Sequence, residues 1–314
     1  LRQLTYDEAE GENMLEPDLR IRIGEVEFSN PCLTASGTYG FGERFPQVLN
    51  RLGGFIPKGI TLLPRVGNPP PRIWEGSGGI VNSIGLENPG VIYFTNNILP
   101  KLSHLNTKII LNIAGFAIEE FATLIKILDG PVVSGFELNL SCPNVPDGGI
   151  SFSQNPKSVA KILQETRKMT RKLLIPKLSP VFNNLLELAH ICEEEGSSAI
   201  TLINSLPSLV VDLERFQPFL GGRTGGLSGP AIKPFALYCI NKVKEVLKIP
   251  IIGCGGIMNY QDALEYILAG ASLFQVGSAN LINPFTPIEI IEGLKRYCRE
   301  KEFPDIKRLI NKLS

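Results

Sequence analysis

Gly135-Phe136-Glu137-Leu138-Asn139-Leu140-Ser141-Cys142-Pro143-Asn144 runs from an apolar stretch straight into a turn. The first seven residues read as a strand, and Pro143 ends it because proline has no amide hydrogen to give a ladder. Cys142 is therefore offered at the carboxyl end of a buried strand, on the first residue of a loop. Asn139 and Asn144 flank it with amides that both donate and accept. A cysteine in such a place is ordinarily inert packing. Its reading turns on what the other strands carry at the same end.

Outward from this stretch the pattern repeats. Short apolar runs alternate with segments of helical period, and strands are expected at Pro31–Ser36, Phe55–Ile60, Lys108–Ala114, Ile175–Ser179, Ala199–Asn204, Pro250–Gly255 and Leu273–Gly277. Asn155-Pro156 is an N-cap followed by an N1 proline, and it opens a helix with Val159, Ile162, Leu163 and Thr166 on one face. Leu185, Leu188, Ala189 and Cys192 form a second stripe, stopped by Gly196. Pro230 opens a third through Ala236, Ile240, Val243 and Leu247. Asn259 caps a fourth containing Ala263, Leu264, Ile267 and Leu268, with Gly270 after it. Eight near-continuous apolar strands alternating with helices argue for a parallel sheet closed into an α/β (β/α)8 TIM barrel. A doubly wound open sheet is the alternative, but the Gly-rich run Ala35 to Gly42 does not follow its G-x-G-x-x-G signature. Leu19 to Phe28 alternates about a glycine and reads as a small N-terminal β-hairpin. Pro64 to Gly79 and Leu220 to Pro230 read as irregular loops over one barrel face.

Apolar residues make up 43% of the chain and charged ones 20%, as in globular proteins. Basic and acidic residues balance at 31 each, which gives no electrostatic ground for nucleic acid or an anionic membrane. No apolar run is long enough for a membrane helix. Residues 1–18 read as an acidic, polar extension without a signal-peptide core, and 19–314 as a single barrel domain. The six cysteines are scattered and never spaced C-x-x-C, so no metal site is expected and a reducing cytoplasm fits best.

In a barrel the chemistry sits at the carboxyl ends of the strands. In this chain those ends carry Ser36, Lys58-Gly59, Asn112, Asn139, Lys177, Asn204-Ser205, Gly255-Gly256 and Gly277-Ser278. Each alone has a bland explanation, such as a snorkelling lysine or a turn asparagine. Together they call for a polar ligand, since a buried polar group without a partner costs about 1–3 kcal/mol. The last two turns, Gly255-Gly256 and Gly277-Ser278, lie where barrels commonly bind phosphate, with the following helix adding its positive end. Lys58 and Lys177 suit an anion, a reduced cofactor or a Schiff base. Neither histidine falls at a strand end, and the nearest acid is Glu137, on the same face of its strand as Asn139. Cys142 is left as the proton-transfer group, with a reference pKa near 8.5.

With these residues the chain resembles the class 1 dihydroorotate dehydrogenases. The likeness runs from Leu19 to about Gly293. It rests on Ala35-Ser36-Gly37, Asn82-Ser83-Ile84-Gly85-Leu86-Glu87-Asn88-Pro89-Gly90, Asn139 to Asn144, Lys177-Leu178-Ser179-Pro180, Thr224 to Pro230 and Gly255-Gly256. Cysteine at 142, rather than serine, and no amino-terminal apolar extension are similar to class 1. Asp147-Gly148-Gly149 and the run Gly225 to Pro234 are similar to subclass 1B. Subclass 1A, a fumarate-using homodimer, is the close alternative.

The resemblance implies oxidation of (S)-dihydroorotate to orotate in pyrimidine biosynthesis, with one FMN per chain. It implies Cys142 as the base that removes the C5 proton, and Lys58 against both flavin and substrate. It implies that Asn82, Ser83, Ile84, Gly85, Leu86, Asn139, Asn144, Asn204 and Ser205 hold the substrate. FMN is expected on Ser36, Lys58, Gly59, Asn112, Asn139, Lys177, Ile203, Gly229, Gly255, Gly256, Gly277 and Ser278, with Lys177 stabilising the reduced anion. A partner subunit carrying FAD and a [2Fe–2S] cluster is expected to pass electrons to NAD⁺, around a homodimeric core in a heterotetramer. The loop Asn139 to Gly149 is expected to close as a lid. Ser205 and Ser83 stand where the family more often has Thr and Ala. Other readings are a flavin barrel acting on another dihydropyrimidine, a Schiff-base lyase, and a barrel kept as a scaffold.

Overall fold

The computed structural model describes residues 16–140, 152, 154–179 and 184–313. A hairpin of β1 (Ile21–Ile23) and β2 (Val26–Phe28) comes first, as the alternation about Gly24 requires. The barrel strands are β3 (Cys32–Thr34), β4 (Gly54–Phe55), β7 (Lys108–Ile113), β8 (Val133–Asn139), β9 (Leu173–Leu178), β10 (Ile200–Leu202), β15 (Ile251–Cys254) and β16 (Ala271–Val276). They close in chain order, every pair parallel. The expected strands are all present. Most are shorter, because parallel pairing stops where the chain bends toward its loop.

The stripes read from the sequence face the strands. Val159, Ile162, Leu163 and Thr166 are all buried on the helix Pro156–Met169, and Asn155 Oδ1 accepts from Lys157 N at 3.1 Å. Leu188, Ala189 and Cys192 are buried on Leu185–Glu194. The third helix opens with a single 3₁₀ turn, Pro230–Ile232, and continues as Lys233–Lys244. Leu247 lies beyond its end, though still buried. The fourth helix, Tyr260–Leu268, starts with a reciprocal capping box between Asn259 and Asp262.

The two segments read as irregular loops are a correction. They contribute to a four-stranded antiparallel sheet outside the barrel, ordered β11 (Leu206–Ser208), β14 (Gly225–Ser228), β6 (Gly79–Asn82), β5 (Ile73–Gly76). Its strands are glycine-rich and barely alternate, so periodicity carries no signal for them. A local hairpin of β5 and β6 is joined to β14 over a long sequence distance, so that Asn82 lies opposite both Ile73 and Gly226.

Asn259→Ala removes the oxygen that satisfies the Asp262 amide in the first helical turn and should cost about 1 kcal/mol. Urea unfolding of the two proteins measures it, and equal midpoints would contradict the role given to the capping box.

Candidate active site

Inside the barrel, side chains from alternate strands form layers. In most barrels they are apolar. Here Glu137 on β8, Thr201 on β10 and Gln275 on β16 come from every second strand and make a polar layer with no exposed surface. The intervening strands β7, β9 and β15 supply Asn112, Lys177 and Cys254. These three reach the floor of a cavity of about 370 Å³, whereas Glu137, Thr201 and Gln275 stay beneath it.

The polar layers are tied together. Glu137 accepts from Asn112 Nδ2 at 2.8 Å, from Thr201 Oγ1 at 3.0 Å and from Gln275 Nε2. Lys177 Nζ donates to Gln275 Oε1 at 2.8 Å and lies 3.6 Å from Glu137 Oε1. Burial pulls the Lys177 ammonium toward neutrality, but negative charge on Cys254, present only at high pH where that thiol ionises, and on the Glu137 carboxylate outweighs it, and its pKa is raised above the ordinary 10.5. Burial pushes the Cys254 thiol the other way, up from its ordinary value, so at neutral pH it is an uncharged thiol and no base.

The residues expected at the site converge on this one cavity. It is lined by Ser36, Lys58, Gly59, Asn82, Ile84, Gly85, Leu86, Asn112, Asn139, Lys177, Ile203, Asn204, Ser205, Gly229, Gly255, Gly256, Gly277 and Ser278. Ser83 is next to the wall but turned away. It is fully buried and accepts from Asn68 Nδ2 at 2.9 Å. Cys142, Asn144 and the rest of the expected lid lie outside the described residues.

Local chemistry explains the placing. Asn88 has both halves of its amide occupied: Oδ1 accepts from Thr61 N and Gly90 N, while Nδ2 donates to Thr61 Oγ1 and the Leu86 carbonyl. That clamps the 82–90 loop to the end of the second barrel strand. It holds Leu86 at a φ of +58°, uncommon for a branched residue and found at constrained sites. Lys58 Nζ meets Glu87 Oε2 at 3.3 Å, and Arg72 Nη1 meets the same oxygen at 2.9 Å, so one carboxylate steadies two cations at the rim.

At the other end the wall is bare backbone. Gly256 has φ +67°, and a Cβ there would lie 2.7 Å from the Gly229 carbonyl oxygen. The helix after Gly255-Gly256 starts on a capping box, in which Met258 N and Asn259 N donate to Asp262 and Asp262 N donates to Asn259, and the helix after Ser278 is only the short turn Ala279–Ile282. Bare loop amides and Ser278 are what this end offers an anion.

Sequence reading missed Thr201, Gln275 and Cys254. Gln275 is the one strongly polar residue in Ala-Ser-Leu-Phe-Gln-Val that is fully buried, and a polar residue inside a buried strand was the available signal.

The five described cysteines are all free and buried, and no described helix is long and apolar enough to cross a membrane. Lys177→Met leaves the buried Glu137 without its countercharge and should cost about 3–5 kcal/mol. Because the folded pKa of Lys177 is raised, its stabilisation is fully present below 10.5 and lost only as pH climbs beyond that. The loss measured by urea unfolding should therefore be the same at neutral and mildly alkaline pH. A penalty that shrinks between them would contradict the raised pKa.

Residues 18–298 match the family model described as dihydroorotate dehydrogenase. A protein of Trichlorobacter lovleyi named dihydroorotate dehydrogenase B (NAD(+)), catalytic subunit, is 45% identical over 95% of this chain and 99% of its own length. Proteins of the same name from Geotalea uraniireducens and Bacteroides fragilis are 44% and 42% identical, over 96% and 94% of this chain and 99% of each relative. By the family model and by these relatives, the chain belongs to the dihydroorotate dehydrogenase family.

Proposed function

We propose that this chain is the catalytic subunit of an NAD⁺-type dihydroorotate dehydrogenase and oxidises (S)-dihydroorotate to orotate in pyrimidine biosynthesis with one bound FMN. The observation that carries this reading is the convergence of two lysines, Lys58 and Lys177, with Asn82, Asn112, Asn139 and Asn204 on one cavity. A cavity of about 370 Å³ falls in the range of small-molecule sites. Its three ends suit the three parts of the cofactor–substrate pair. The bare turns at Gly229, Gly255, Gly256 and Gly277 admit a phosphate without a Cβ in the way. Asn112 Oδ1, buried and without a hydrogen-bond partner, is an acceptor waiting for a ring N–H. The asparagine-rich rim matches a ring of amides bearing a carboxylate.

Bound FMN supplies the two-electron hydride acceptor. The protein's own residues do the rest. Cys142 takes the C5 proton of the substrate, a role that rests on its place in the Asn139 to Asn144 motif. Cys254, a thiol at the cavity floor, is held neutral by burial. Lys177 keeps a fixed positive charge where negative charge collects on reduction, and Glu137 and Gln275 prevent it from turning away. Lys58, braced by Glu87, orients the substrate anion together with the Asn82 to Leu86 loop. Asn204 Nδ2, 3.5 Å from Asn139 Oδ1, ties the walls on which the two asparagines stand.

The relatives' printed name favours NAD⁺ over fumarate as final acceptor, and "catalytic subunit" favours a separate electron-transfer subunit, which would carry FAD and a [2Fe–2S] cluster. Free thiols among the described residues support a reducing cytoplasm.

Cys142→Ala should lower turnover of dihydroorotate with an artificial dye acceptor by about 10²–10⁴-fold. It should leave orotate affinity within about twofold, since the thiol is asked to move a proton and not to bind. Uracil, lacking the carboxylate, should bind far more weakly than orotate to both proteins. Undiminished turnover in the variant, or equal affinity for uracil and orotate, would overturn the assignment.

A further inference from the structure

We infer that Glu137 is a positioning residue that sets the hydrogen-bond polarity of the cofactor cavity by fixing which way the Asn112 amide faces. The inference rests on the flavin reading given above.

An asparagine amide is nearly symmetric in shape and opposite in chemistry at its two ends. Which end meets the cavity must be decided by what lies behind. Glu137 lies there, with no exposed surface. Every group around its carboxyl offers it a hydrogen. Asn112 gives Nδ2 at 2.8 Å, Thr201 gives its hydroxyl at 3.0 Å, Gln275 gives Nε2, and the Lys177 ammonium is 3.6 Å away. Gln275 is held in its own sense because its Oε1 accepts from Lys177 at 2.8 Å. A carboxylate in this position accepts only, so Asn112 is obliged to turn its NH₂ inward. Oδ1 is left pointing at the cavity, buried and without a partner. Gly59 keeps the space in front of it open, because a Cβ there would stand 2.7 Å from that oxygen. The cavity is thereby given an acceptor at this point and reads a ring N–H of the bound group. Reversed, the amide would set its own hydrogens against that N–H.

Exchange of the carboxylate and the amide between the two positions tests this. In E137Q the single oxygen of the new amide is claimed by Thr201 and Gln275, so its NH₂ faces Asn112. The Asn112 amide turns over, and FMN affinity should fall about tenfold, or about 1.4 kcal/mol. N112D sets two carboxylates face to face and should weaken binding at least as much. In the double variant E137Q/N112D the hydrogen bond runs the other way, from Gln to Asp, one carboxylate is kept in the pair, and an acceptor oxygen again faces the cavity. Affinity should return to within about threefold of the native protein, a residue of under about 0.7 kcal/mol.

The readout is quenching of FMN fluorescence as apoprotein is added, with far-UV circular dichroism confirming the fold of each variant. Native apoprotein that fails to bind FMN would overturn the flavin reading. Native binding with E137Q folded and equal to it, or a double variant no better than the single ones or unable to fold, would overturn the role of Glu137. If E137Q alone does not fold, recovery of the double variant over N112D gives the same decision.

Discussion

A carboxyl group buried in the centre of the barrel is the constraint on which the site depends. Glu137 has no access to water and is made tolerable only by the donors that surround it. A half-satisfied network of this kind would be worse than an apolar core, so its members are committed together. Each comes from a different strand, which makes the network a statement about register. Asn112 is paired in the ladder with Glu137, and Lys177 with both Asn139 and Thr201. A slip of one residue in β8 would turn Glu137 out among the helices and Phe136 into the barrel. The polar network therefore fixes the alignment of five strands, and the strands then deliver Lys177 and Asn112 to the cavity floor.

The antiparallel sheet of β5, β6, β11 and β14 does the corresponding work above the strand ends. It carries Asn82 and Ser228 to the cavity, and its β11 follows directly on Asn204 and Ser205. The barrel end supplies charge and bare glycine turns, while this sheet and the 82–90 loop supply the cavity's outer wall. The division suits a site that must hold a resident group firmly and still admit a small one. The buried layer is rigid, and the outer wall is built on short strands and glycines.

Much of this was legible in the sequence. The barrel followed from eight apolar runs with helical stripes between them, because buried parallel strands need no alternation and surface helices cannot do without it. The strand-end lysines, asparagines and glycines were legible for the same reason: a polar residue closing an apolar run is visible. The outer sheet was passed over: the glycine-rich turn between β5 and β6 was a local hairpin signal, but the pairing of β6 with β14 spans more than a hundred residues and leaves none. Gln275 and Thr201 were passed over because each stands inside a strand, and only the closed barrel shows that they meet Glu137. Glu137 itself was seen on the Asn139 face, but its partners are distant in sequence.

The central claim is that this cavity joins FMN chemistry to dihydroorotate. The most direct measurement is an anaerobic titration of the FMN-loaded chain with dihydroorotate, following the visible flavin absorbance. Bleaching that ends at one equivalent of substrate per flavin is the expected result, because each oxidation delivers one electron pair. A yellow protein that dihydroorotate leaves unbleached, while dithionite bleaches it, would contradict the claim and leave a flavin barrel with a different substrate.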